Sequence, residues 1–283
     1  MSMDVDLQII LQRASMLVLF LMLFLAGKYL KQLLTPYSIE QELTKEDNVA
    51  QATSLAGYYI GLTALFSGAY LGPSAGWLMD LGTVAGYTLM GLVLLNLSRA
   101  INDRYVLHAF SVAKAIRDQH NKAAGAVQGA NYIASALVVA GALHGEGGGV
   151  FTALIFYGIG QIALVAFSRF YEWLTPYAIQ QEIESDNLAA GLGFGGSMIA
   201  ISLVVMASIK GDFIDWQTNL VWLALHLLSV FVYLVVVRFF FDRVIIAHDD
   251  LNTEIARDRN VGAGVLECAL AISFASVLFF MVG

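Results

Sequence analysis

Apolar residues fill eight stretches of the chain, each near the twenty or so residues that a helix needs to cross about 30 Å of hydrocarbon. They run at approximately 14 to 34, 51 to 71, 77 to 98, 124 to 144, 150 to 170, 188 to 209, 217 to 240 and 261 to 282. The polar connections between them alternate in length. Short ones fall at about 71 to 77, 144 to 150 and 209 to 217, and long ones at about 34 to 51, 98 to 124, 170 to 188 and 240 to 261. The four long connections therefore share one side of the bilayer. Pro36, Pro73 and Pro176, the three prolines, all lie between the stretches, so every helix keeps its backbone hydrogen bonds in lipid. This pattern predicts an all-α integral membrane protein of eight transmembrane helices.

A finer pattern sits in the long connections. Each carries an apolar pair at i, i+4: Ile39 and Leu43, Val112 and Ile116, Ile179 and Ile183, Leu251 and Ile255. One apolar stripe on a short helix is the expected result, giving four amphipathic helices at the membrane surface. Thr35-Pro36 and Thr175-Pro176 are expected to supply the N-cap and first turn in the odd copies. Every long connection then ends on an asparagine that opens the next helix: Asn48, Asn121, Asn187 and Asn260. Its side-chain oxygen is placed to accept a backbone N–H that lipid leaves unsatisfied.

Small residues follow at the second, fourth and eighth positions after each asparagine: Ala50, Ala52, Ala56; Ala123, Gly125, Gly129; Ala189, Gly191, Gly195; Gly262, Gly264, Cys268. The fourth and eighth share a helix face, the spacing that lets helices approach closely in lipid. Longer identities repeat as well. Leu34-Thr35-Pro36-Tyr37 returns as Leu174-Thr175-Pro176-Tyr177, and Arg99, Asp103-Arg104 and Trp77 return as Arg238, Asp242-Arg243 and Trp216. The chain is thus two tandem four-helix repeats, residues 10–145 and 150–283, or four pseudo-equivalent hairpins.

Asn187-Leu188-Ala189-Ala190-Gly191, following a Thr-Pro and a short polar helix, resembles the YjfL-like membrane proteins, domain of unknown function 350. The resemblance covers nearly the whole chain as a tandem of two domains. It implies a bacterial plasma (inner) membrane protein, linked in places to envelope-stress genes, and implies no activity.

Composition agrees with a membrane protein: 58% hydrophobic residues, 13% charged and a mean hydropathy of +0.71, against the roughly 25% charged of soluble domains. Thirteen of the fifteen basic residues flank or occupy the long connections, leaving only Arg13 and Lys210 elsewhere. By the positive-inside rule the long connections are cytoplasmic and both termini lie outside. The opening residues lack the basic region of a cleavable signal, so the first helix is expected to be retained. A net charge of −7 with no basic run argues against nucleic acid. The single cysteine, Cys268, excludes an intramolecular disulfide and a cysteine-rich zinc site.

Polar groups at membrane depth are the candidates for chemistry. Glu267, seven residues into the last helix, is the most costly, and Gln128 holds the same position in the second hairpin. Gln161, His226 and Asn131 are the others. Asp103-Arg104 and Asp242-Arg243, at the cytoplasmic ends of equivalent helices, are expected to form surface ion pairs or to bind lipid headgroups, with a gate latch as the lesser reading. His248-Asp249-Asp250, with His108 and His120, match no metal motif, and no catalytic or cofactor signature is present.

Two functions fit. The first is transport or ion conduction, with four hairpins around an axis along the membrane normal and Glu267, Gln128, His226 and Gln161 as the candidate pathway. The second is a noncatalytic membrane module, for envelope-stress sensing or for docking cytoplasmic partners on the surface helices. Transport stands first because an intramembrane carboxylate is expensive without a use. Besides the bilayer, the pattern allows a cytoplasmic protein partner and a homo-oligomer through the glycine-rich faces.

Overall fold

In the computed structural model, which describes residues 2–144, 149–245 and 250–282, every long apolar stretch is helical and every long connection folds back through a short helical piece. The first hairpin is α1 (Ser2–Leu33), α2 (Ile39–Thr44) and α3 (Val49–Tyr70), and the second is α4 (Trp77–Tyr105), α5 (Val112–Asp118) and α6 (Lys122–His144). The third is α7 (Gly149–Leu174), α8 (Ile179–Glu184) and α9 (Leu188–Ile209). The fourth pairs α10 (Trp216–Phe240) with α11 (Val261–Val282) through π-helical turns at Phe241–Ile245 and Thr253–Arg257. The described residues contain no strand. Seven of the long helices are apolar enough, by length and composition, to cross a membrane. The remaining one, α3, matches α9 in length but carries Gln51, Thr53, Ser54, Tyr58, Tyr59 and Thr63 and misses that standard.

Two details depart from the sequence reading. The first helix starts at Ser2 rather than near residue 14, because no Gly or Pro interrupts the chain before Arg13. The Thr-Pro pairs close the preceding helices instead of opening the short ones. Proline has no N–H and drives the residue before it out of the helical region, so α1 and α7 must end there. The Thr35 and Thr175 hydroxyls donate back to the carbonyls of Lys31 (2.8 Å) and Tyr171 (3.0 Å). Ser38 caps α2, accepting from the Gln41 N–H at 3.3 Å.

The asparagines cap as expected. Their Oδ1 atoms accept from the N–H groups of Gln51 (3.0 Å), Ala124 (2.7 Å), Ala190 (3.2 Å) and Ala263 (3.3 Å). The residue before each one takes a left-handed conformation: Asp47, His120, Asp186 and Arg259, with φ of 47°, 50°, 60° and 50°. Four non-glycine residues in that sparsely populated region, at one repeat position, mark a turn that the surrounding packing enforces.

The same side chains also link hairpin to hairpin. Nδ2 of Asn48 donates to the carbonyl of Ile116 (2.9 Å), that of Asn121 to Ile183 (2.8 Å), and that of Asn187 to Ile255 (2.8 Å). Each asparagine thus grips the short helix of the hairpin that follows. The membrane helices obey the same order: α3, α6, α9 and α11 stand side by side in a row. Over the row, α4 rests on α3 and α6, α7 on α6 and α9, and α10 on α9 and α11, while α1 lies on α3 and α4.

Each seam of the row repeats one contact scheme. The fourth residue after an asparagine meets the second residue of the preceding hairpin: Gly125 on Ala50, Gly191 on Ala123, Gly264 on Ala189. Lower down, the eighth residue meets the ninth of the preceding hairpin: Gly129 on Gly57, Gly195 on Ala130, Cys268 on Gly196. A Cβ added at Gly125 or Gly57 would run into the facing backbone, which is why small residues recur there.

These links predict unequal costs for the asparagines. Asn187→Ala removes a cap worth about 0.5–2 kcal/mol and leaves the buried Ile255 carbonyl short of a donor, worth about 1–3 kcal/mol more. Asn260 is exposed, and its Nδ2 donates only within its own hairpin, to Glu254 at 2.7 Å. Asn260→Ala is therefore expected to cost only the cap. Unfolding free energies of the two variants in bicelles measure the difference.

Candidate functional site

Arginines Arg99 and Arg238 occupy equivalent places near the ends of α4 and α10, one turn or so before the chain leaves the helix. Around each, the fold gathers polar side chains that lipid cannot solvate. In the second half, Arg238 Nη1 donates to Glu267 Oε1 at 3.0 Å and to the Tyr171 hydroxyl at 3.3 Å. The Tyr171 hydroxyl donates to the same carboxylate oxygen at 3.1 Å, and Arg238 Nη2 reaches Asn252 Oδ1 at 2.7 Å. Three elements of the fourth hairpin and one helix of the third therefore converge on one ion pair.

Glu267 is 8% exposed, so its charge depends on that pair. Its second oxygen, Oε2, has no protein partner, and the carboxylate lines a cavity of about 20 Å³ with Phe167, Tyr171, Ser197 and Leu270. That space is about enough for one water. Gly193 of α9 admits the carboxylate, because a Cβ there would collide with Oε2. Tyr177, outside the spans, has its phenol pushed up to about 12, first by burial and then by the Glu267 charge.

The first half builds its cluster differently. Arg99 pairs with Asp103 one turn along α4 at 3.5 Å. Gln128, where the second half has Glu267, donates to Asp103 Oδ1 at 3.4 Å and accepts from the Ser54 hydroxyl at 2.6 Å. Lys31, at the place of Tyr171, donates to the Tyr132 hydroxyl and stands over the rings of Tyr132 and Tyr58 at 4.5 and 5.5 Å. The phenol of Tyr37, outside the spans, is raised by burial and donates to Gln51 Oε1 at 2.9 Å. The carboxylate that answers the arginine has changed helix between the halves: on the arginine's own helix in the first, on the neighbouring α11 in the second.

A family model described as Domain of Unknown Function (DUF350) matches residues 5–143 and again 147–282, one copy for each cluster. The chain belongs to the DUF350 family. A curated relative, the UPF0719 transmembrane protein of Aquifex aeolicus (strain VF5), is 24% identical over 254 residues, covering 87% of this chain and 90% of that protein. No solved structure matches. The two matched regions make this DUF350 chain a tandem of two copies and a multi-pass membrane protein in contact with the bilayer.

Other sequence candidates fall apart in space. His226 lies twelve residues before Arg238 on α10, about 18 Å along the helix, and stacks on Trp222 at 5.9 Å. Gln161 is 3% exposed, and its amide has no protein partner; it sits behind an apolar groove between α4 and α7 lined by Ile101, Tyr105 and Ile162. Asn131 is buried with Oδ1 unpartnered. Neither adjacent pair forms the expected end-of-helix bridge. Asp103 turns inward to Arg99 while Arg104 is exposed, and Asp242 accepts from the Leu251 N–H at 3.3 Å while Arg243 lies over Phe239. Arg99 and Asp103, four residues apart, share one face of α4, and the adjacent Arg104 lies off that face. His248 and Asp249 lie outside the described residues, and no group of potential metal ligands occurs among those described.

Sequence reasoning missed Arg238, Tyr171 and Asn252 around Glu267, and it missed Lys31. Lys31, counted as a basic flank of a cytoplasmic connection, is 2% exposed. Its spacing held the signal, since it precedes Leu34 as the aromatic Tyr171 precedes Leu174.

Proposed function

We propose that the protein is a noncatalytic membrane module of eight crossings, lying in the bacterial inner membrane with both termini outside. Its four short helical pieces form a cytoplasmic docking rim. The observation behind this reading is the state of Glu267. A carboxylate serving a cation pathway needs free oxygens on a continuous polar route, whereas Glu267 is held by Arg238 and Tyr171 beside a cavity of about 20 Å³. The row of α3, α6, α9 and α11 also places no axis inside one chain around which the hairpins could enclose a pore. The eighth crossing rests on α3, whose 22 residues follow α6 from Gly57 at Gly129 to Gly68 at Ala140. The long connections and the helix ends that flank them carry 13 basic and 15 acidic residues, without the positive excess that anionic lipid would favour, and this balance suits a protein partner.

Transport is the second reading, favoured by Oε2 of Glu267, which has no protein partner beside its cavity. Flux of protons, potassium and sodium into liposomes decides between them. The module passes none of these ions, with or without Glu267→Gln. Flux in the parent that Glu267→Gln abolishes would overturn the module reading in favour of a pathway.

A further inference from the structure

Three seams inside the chain are copies of one another, and the two ends of the row carry the unused halves of a fourth. At the first end, α3 presents the fourth and eighth residues after Asn48, Ala52 and Ala56, which no preceding hairpin meets. At the last end, α11 presents the second and ninth residues after Asn260, Gly262 and Ala269, which no following hairpin meets. All four are small and all four are exposed, whereas the second residues Ala50, Ala123 and Ala189, which do meet a following hairpin, are fully buried. A Cβ on Gly262 would meet only Asn260 Oδ1, of its own turn, at 3.1 Å.

Independent features of the same ends agree. Asn260 caps its helix like the others but has no following short helix to grip. Leu43 of α2, at the place of Ile116, Ile183 and Ile255, is the carbonyl that a preceding asparagine would reach. The outer helices repeat the mismatch. Each of α4, α7 and α10 rests on the row helix of the preceding hairpin, and α1 has no such helix to rest on. A lipid-facing end would have no reason to keep small residues at the seam positions, where Leu or Val would serve as well.

We propose that the chain assembles head to tail with further copies of itself, α11 of one copy packing against α3 and α1 of the next through the seam already made three times within each chain. In that seam Ala52 sits on Gly262, Ala56 on Ala269, and Asn260 Nδ2 donates to the Leu43 carbonyl. The contact is heterologous, one surface on each end, so repetition closes into a ring or extends into a filament. The inference stands apart from whether the protein conducts ions.

Thiol cross-linking in membranes tests it, in a full-length Cys268→Ala background. Chains carrying Ala56→Cys with one tag and Ala269→Cys with another are co-expressed and oxidised. The expected product is a dimer bearing both tags, with no link when either variant is expressed alone. A chain carrying both substitutions gives a ladder of covalent oligomers, and Gly262→Leu, at a site exposed in a single chain, removes the ladder without lowering the melting temperature. The Ala130→Cys/Gly195→Cys chain occupies the equivalent positions of an internal seam, where Cβ positions about 2.9 Å apart ease to the roughly 3.5–4.5 Å of a disulfide, and its link within one chain is the control for oxidation. Absence of any mixed dimer while that control oxidises, or an Ala269→Cys chain linking to itself, overturns the proposal.

Discussion

Arg238→Leu is expected to destabilise the protein by about 3–5 kcal/mol, the largest loss from any single side chain at the clusters. The substitution leaves the Glu267 carboxylate among apolar walls with only the Tyr171 hydroxyl to answer it, and an unpaired buried charge costs far more than the pair contributed. The double variant Arg238→Met/Glu267→Met removes both charges and keeps the volume. It is expected to recover most of the loss, and to reach or pass the parent by about 1–4 kcal/mol if the pair serves no fold-specifying role. Unfolding free energies for Arg238→Met, Glu267→Met and the double, combined as a mutant cycle, measure the coupling. A double variant as unstable as Arg238→Leu would show that the arginine works through contacts other than Glu267, Asn252 being the first to test.

Gly57→Ala is expected to cost about 1–3 kcal/mol, despite adding a single methyl group. The added Cβ would occupy the space of the Gly129 backbone on α6, and a backbone cannot change rotamer to make way, so α3 and α6 must separate. The separation would also strain the Asn48 link to Ile116 at the head of the same seam. Gly86→Ala on α4 makes the comparison, since a Cβ there meets nothing within 4 Å. Removing glycine from an open helix position is expected to stabilise by about 0.4–1 kcal/mol. Opposite signs for one chemical change, read from melting in bicelles, would separate seam glycines from the rest.

The periodic features of this fold were legible in the sequence because each hairpin must solve the same local problem. A connection that re-enters lipid needs a cap, and Asn48, Asn121, Asn187 and Asn260 recur wherever that need does. Close packing needs small residues, and these follow each asparagine at fixed spacing. Neighbour order was not legible. Gly125 on Ala50 and Gly191 on Ala123 look alike in sequence whether the hairpins ring an axis or stand in a row, because spacing along one helix says nothing about which partner faces it. The clusters were half legible. Glu267 stood out by depth, but its partner Arg238 read as a cytoplasmic flank, and Lys31 is held by Tyr58 and Tyr132 from other hairpin helices.

The forward grip of the asparagines bears on how the chain is made. Synthesis runs from the first hairpin to the last, and Asn48, one amide hydrogen already given to Glu42, holds the other unfilled until α5 emerges to offer Ile116, as Asn121 then waits for α8. Every nascent intermediate that stops after a whole hairpin ends in the same open state, which the outward-facing Asn260 shows in the fourth hairpin. The row is therefore laid down in one direction, each hairpin supplying the surface on which the next one docks.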